Sequence, residues 1–174
     1  MKPLKQVAQA YMTLSEGEKK LQEGAFEDAV SEYQKAKAFT RTIPEEEVFD
    51  HDGFDALCHA GLSWALGKLE QYEESLASAD KALRYFNRRG ELHKDEGKQW
   101  IAAVVSRAFA LARIGRIAEA LEVFRMAGEM IEERKGELPE KEKLQKIVAD
   151  NIAMLETSIP EDSAKRKAWW EFWS

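Results

Sequence analysis

Three stretches of this chain repeat one another, and the repeat dictates a fold of stacked helical pairs. They are Lys20–Val30, Leu66–Leu76 and Leu111–Leu121, and successive copies lie 46 and 45 residues apart. Each reads as a short turn between two helical patterns. The agreement continues outward in register. A small residue precedes each turn (Gly17, Ser63, Ala108), and a bulky apolar one follows it (Phe26, Tyr72, Ile117). Small residues recur three positions later (Ala29, Ser75, Ala120) and seven beyond that (Ala36, Ala82, Ala127), and Phe39, Tyr85 and Met130 close the pattern. Small residues at fixed positions let two antiparallel helices approach toward the short end of the usual ~8–10 Å separation. One such hairpin cannot bury its own apolar face, so neighbours must stack to make a core.

Composition agrees. Of 174 residues, 44% are hydrophobic and 33% charged, with only 4 prolines and 10 glycines to interrupt helices. The formal net charge of −6 argues against a nucleic-acid partner, which asks for a basic stripe. Lys165-Arg166-Lys167 is the one compact basic run. The single cysteine, Cys58, allows neither an internal disulfide nor a thiolate cluster and is expected to be a buried, inert thiol. Residues 1–6 carry no signal-peptide core, and no run approaches the ~18 apolar residues of a membrane span. A cytoplasmic setting is expected.

The pattern resembles the tetratricopeptide repeat (TPR), whose mark is small and aromatic residues at these offsets with glycine in the turn. The three small positions are kept in every copy. The aromatic of the second helix is kept as Tyr33 and Phe124 but is Ala79 in the middle copy, and the turn glycine is kept as Gly24 and Gly115 but is Glu70 there. The copies are also spaced more widely than the usual ~34 residues. Over residues 1–157, the runs Phe49–Leu62, Asp80–Leu92 and Ile131–Glu137 resemble an uncharacterised bacterial family of TPR-like proteins of unknown function. That likeness implies the fold and carries no activity.

The reading is therefore all-α: an α-α superhelix of three TPR-like hairpins, a C-terminal capping helix and a short Trp-rich tail helix. Residues 1–158 form the repeat domain and 159–174 the tail. Helices are expected over 3–22, 26–41, 45–69, 72–89, 93–114, 117–135 and 139–158. Thr42, Pro44 and Glu45-Glu46-Glu47 supply start signals for the third, and Gly90 suits the end of the fourth. Leu144, Ile147, Val148, Ile152 and Leu155 give the capping helix its apolar stripe. Ser158-Ile159-Pro160-Glu161-Asp162 opens the tail.

The resemblance implies a concave groove lined by the first helix of each hairpin. Carried over, its positions are Tyr11, Leu14, Glu18 and Leu21, then Leu57, Ala60, Trp64 and Lys68, then Ala102, Val105, Phe109 and Arg113. The Lys and Asn positions of the family's carboxylate clamp hold Leu14, Ala60 and Val105, and Glu18, Trp64 and Phe109. An acidic peptide tail is therefore disfavoured. Trp64 and Phe109 suit an amphipathic helix or aromatic segment of a protein or peptide partner. Alternatively, the chain's own C-terminal helices cover these residues.

Trp169, Trp170, Phe172 and Trp173 cannot stay solvated at low cost, since each aromatic buries ~150–250 Å² when docked. Docking on this domain is one outcome. Docking on a neighbouring copy, which would give a homo-oligomer, is another. A membrane-interface anchor is weaker, because one short segment holds poorly. His51, Asp55 and His59 share a helix face at spacings of four and form the one metal-like set. His59 also falls on a packing position, so a structural role is the default and metal binding the alternative. No nucleophile elbow, P-loop or dinucleotide loop is present, so no catalysis and no cofactor are expected.

Overall fold

A computed structural model describes residues 3–89, 96–134 and 137–159. Among the described residues seven helices follow one another: α1 (Pro3–Glu23), α2 (Phe26–Thr40), α3 (His51–Lys68), α4 (Tyr72–Arg89), α5 (Glu96–Arg113), α6 (Ile117–Glu133) and α7 (Lys141–Ser158). No strand occurs among the described residues. α1/α2, α3/α4 and α5/α6 are the three hairpins of a TPR-like superhelix, and α7 caps α6. Each helix packs on the next, and the first helices also pack on each other, α1 on α3 and α3 on α5.

The three repeated turns share one hydrogen-bond scheme. Gly24 N donates to Leu21 O and Ala25 N to Lys20 O. Glu70 N donates to Gly67 O and Gln71 N to Leu66 O. Gly115 N donates to Ala112 O and Arg116 N to Leu111 O. This is the Schellman arrangement, which satisfies the last carbonyls of a helix and needs a left-handed residue after it. Gly24 (φ 76°) and Gly115 (φ 87°) adopt that conformation freely, and Glu70 adopts it at φ 61° without being glycine.

All nine small repeat positions are buried, from Gly17 to Ala127. In the middle hairpin two of them are serines, and their hydroxyls stay satisfied: Ser63 Oγ donates to Ala60 O and Ser75 Oγ to Ser63 O, both at 2.7 Å. The core has two parts. One lies between α1, α2 and α3, around Tyr33, Phe54 and Cys58. The larger joins α3–α7 around Phe86, Val104, Leu111 and Phe124. Leu57 packs against both.

The third helix starts later than the expected residue 45. Residues 42–49 form successive turns, and Asp50 is the N-cap, its Oδ1 accepting from Gly53 N at 2.9 Å. Asp50 Oδ2 also accepts from Tyr85 OH at 2.6 Å, which ties the start of α3 to α4. That second bond fixes the cap at Asp50 rather than at Thr42, while Ile43 is drawn into the core and Phe49 packs on Tyr11 and Phe54. α7 begins at Lys141 rather than 139, after Glu140 in a left-handed conformation (φ 55°). Gly90, residues 93–95, Lys135 and the tail beyond Ile159 lie outside the described residues.

Candidate functional site

The groove residues separate into three groups. Leu14, Ala60 and Val105 are buried in the core. Leu21 and Leu57 are partly buried against core clusters, Ala102 is half-buried, and Tyr11 lies half-exposed with its ring edge-on to Phe54. Glu18 is half-buried on α1 and accepts from Gln99 Nε2 of α5 at 3.3 Å, bridging the first and third hairpins. Burial pushes its carboxyl above the ordinary range, against the pull of nearby Lys98. Trp64, Lys68, Phe109 and Arg113 form the third group, and these the fold does bring together.

They line a pocket of about 260 Å³ between α3, α4, α5 and α7. Its walls are Trp64 and Phe109, with Tyr72 from α4 and Asn151 and Met154 from α7. Its floor is made of small residues: Ser63, Gly67, Ser75, Ser106 and Ala112. At the rim, the Lys68 ammonium lies 5.6 Å from the centre of the Trp64 ring. The Arg113 guanidinium lies 5.2 Å from that of Tyr72, and Arg113 Nε donates to Tyr72 OH at 3.0 Å. The pocket is thus apolar inside and basic at its mouth.

Ser106, Asn151 and Met154 were not legible as site residues, yet the register held one signal. Tyr33 in the first hairpin fills the space above Gly17 and Gly61, where added Cβ atoms would meet its ring. The residues in register are Ser63 for Gly17, Ser106 for Gly61, and Ala79 for Tyr33. The middle hairpin therefore has buried Ala79 where the first has the ring, and both serines line the pocket. In the third hairpin Phe124 supplies the ring, edge-on to Phe109 at 5.1 Å. Ser106 is 4% exposed, and its Oγ has no hydrogen-bond partner. An unpaired buried hydroxyl costs roughly 1–3 kcal/mol.

His51, Asp55 and His59 do not gather as a ligand set. Among the described residues no group of three His, Cys, Asp or Glu side chains is placed to hold a metal ion. His59 Nε2 instead faces the Lys37 ammonium at 2.8 Å. Burial, with Lys37 and Lys81 nearby, lowers the imidazole pKa to about 4, so the ring is neutral and accepts from Lys37. Burial likewise lowers the Lys37 ammonium and raises the Asp55 carboxyl, the latter against the pull of Lys37 and Arg41. Cys58 lies beside this cluster, fully buried, its thiol pushed up to about 12 by burial. A thiol so placed is not a nucleophile at neutral pH.

Residues 2–144 match the model of a family described as Domain of Unknown Function (DUF3856). The chain belongs to the DUF3856 family. A solved TPR-like protein from Chlorobium tepidum is 54% identical, covers 90% of this chain and 99% of its own, and superposes with a TM-score of 0.86. The C-terminal TPR-containing domain of a Plasmodium falciparum FK506-binding protein is 15% identical, with coverage of 90% and 97% and a TM-score of 0.59. At that identity the likeness is one of fold. No protein of curated function matches the sequence. For this DUF3856 chain the TPR-like architecture is thus established, and among the described residues no helix is long and apolar enough to cross a membrane.

Proposed function

We propose that this DUF3856 protein is a non-catalytic scaffold that binds a protein partner through the pocket between α3, α4, α5 and α7. The partner segment inserts one aromatic or large aliphatic side chain between Trp64 and Phe109. The observation that carries this reading is the ring-sized gap over Ser63 and Ser106, walled by aromatics and rimmed by Lys68 and Arg113. Side chains anchored in desolvated aromatic pockets dominate the energy of peptide recognition. The single cysteine, Cys58, is buried with a raised pKa and is not a nucleophile at neutral pH.

The test is selection of peptides from a random display library on the full chain. A parallel arm uses a chain with Trp169, Trp170, Phe172 and Trp173 replaced by serine. Selected peptides are expected to share an aromatic or aliphatic anchor and to lose at least tenfold in affinity on Phe109→Ala. A second variant, Ala79→Phe with Ser106→Gly, places a ring at the position of Tyr33 in the first hairpin and should abolish binding by narrowing the gap. Equal affinity for all folded variants, or no selection in either arm, would overturn the reading.

A further inference from the structure

We infer that the pocket is the docking site of the chain's own Trp169–Trp173 segment, which occupies it in cis and competes with partner peptides. The inference rests on the pocket reading above and names the regulation of that site.

Three observations converge on this occupant. The first is reach. α7 contributes Asn151 and Met154 to the pocket wall and ends at Ser158, so the chain leaves the described structure at Ile159 about one helical turn past the pocket. Met154 and Ile159 are separated by roughly 7.5 Å along the helix axis. The nine residues Pro160–Ala168 then span up to about 30 Å when extended, ample for the chain to fold back.

The second is chemistry. The middle hairpin lacks an aromatic ring at Ala79, and the tail offers four within five residues. An indole fits the apolar walls of Trp64, Phe109 and Met154, and its N–H is a donor only. Ser106 Oγ, buried and unpartnered at the floor, is an acceptor that such a donor would satisfy.

The third is charge. Glu171 sits among the aromatics, and the pocket mouth carries Lys68 and Arg113. A polar or basic anchor would lack the match in chemistry, and an aromatic anchor without an acid would lack the match in charge.

Tethering sets the size of the effect. A short flexible linker holds its ligand at an effective concentration on the order of 1 mM. A tail that binds in trans with a dissociation constant of about 100 μM would then lower the affinity of a competing peptide roughly tenfold.

The experiment compares the full chain with the four-serine tail variant, using a peptide from the library selection and a fluorescent synthetic copy of residues 168–174. The expected result has three parts. The selected peptide binds the tail variant about tenfold more tightly than the full chain. The synthetic tail binds the tail variant in trans and loses binding on Ala79→Phe with Ser106→Gly. Both chains scatter light as monomers, and circular dichroism shows the same helix content. Equal peptide affinity for both chains, with no trans binding of the synthetic tail, overturns the inference and leaves the scaffold reading standing. A full chain that is a dimer and becomes monomeric in the tail variant places the occupant on a second copy and overturns docking in cis. Failure of every peptide on both chains sinks the scaffold reading itself.

Discussion

The ring of Tyr33 occupies the space in which Gly61 would carry a side chain. α2 and α3 therefore meet at a point where one element must be aromatic and the other must have no Cβ. Tyr33 is 1% exposed and cannot swing into solvent without emptying the first core. Gly61→Ala is expected to destabilise the fold by about 1–3 kcal/mol, the range for overpacking a tight interior. Gly17→Ala, whose Cβ would meet the same ring at 3.0 Å, should cost less. Urea denaturation of both variants checks the order. The reverse order would mean that the ring leans on α1 rather than α3.

The bond from Tyr85 OH to Asp50 Oδ2 holds two helices of the middle hairpin at one carboxylate. Burial raises the Asp50 pKa, but the hydrogen bonds from Tyr85 and Gly53, with Arg89 and His51 nearby, bring it below its ordinary value of 3.8. The carboxylate is thus favoured in the folded chain. Its contribution is complete above the unfolded value and is lost as pH falls through the lower folded one. Tyr85→Phe should cost about 1 kcal/mol at pH 7 and progressively less below pH 4. Urea melts of the variant and the parent across this range provide the comparison, and a difference that stays constant in acid would rule the carboxylate out.

Glu70 holds the left-handed position that Gly24 and Gly115 hold in the other two turns. A side chain there costs roughly 1–2 kcal/mol, whereas glycine loosens the unfolded chain by about 0.4–1 kcal/mol. Glu70→Gly is therefore expected to stabilise the fold by about 0.5 kcal/mol, and Gly115→Ala to destabilise it by about 1 kcal/mol. Thermal melts of both variants should show melting temperatures moving in opposite directions.

His59 gives the clearest titration. Its folded pKa of about 4 lies below the ordinary histidine value of 6.5, so the unfolded chain binds more protons between these limits. Stability should fall as pH drops from about 6.5 toward 4, and level off below. Lys37→Met removes the ammonium at 2.8 Å and one of the charges that lower the imidazole, so the His59 pKa should rise by NMR titration. An unchanged titration would leave burial and Lys81 as the causes.

The repeat register made the hairpins legible because nine small residues at fixed offsets have one joint use, the close approach of helices. It also placed Trp64, Lys68, Phe109 and Arg113 together. It misassigned Leu14, Ala60 and Val105, since a position one step around the same helix faces a neighbour whose tilt the register does not specify. The start of α3 was hidden for a similar reason. Thr42, Pro44 and the three glutamates are sound local start signals, but Asp50 has a partner 35 positions away in Tyr85. The pocket needed two distant facts at once: that Ala79 replaces an aromatic, and that α7 returns to supply Asn151 and Met154. The first is visible in the sequence, and the second depends on how the last helix docks.

That docking has a consequence for timing. α7 packs chiefly on α6, with Val148 and Leu155 as its buried anchors and an exposed ion pair from Arg125 to Glu156 at 2.7 Å. Among the seven helices it has the smallest share in the core, so its amide protons should exchange earliest in a cooperative opening. Each such opening takes away one wall of the pocket while the hairpins stay folded. Entry and exit of anything the pocket holds can then follow the breathing of a single helix, at a rate set by α7 rather than by the affinity of the site.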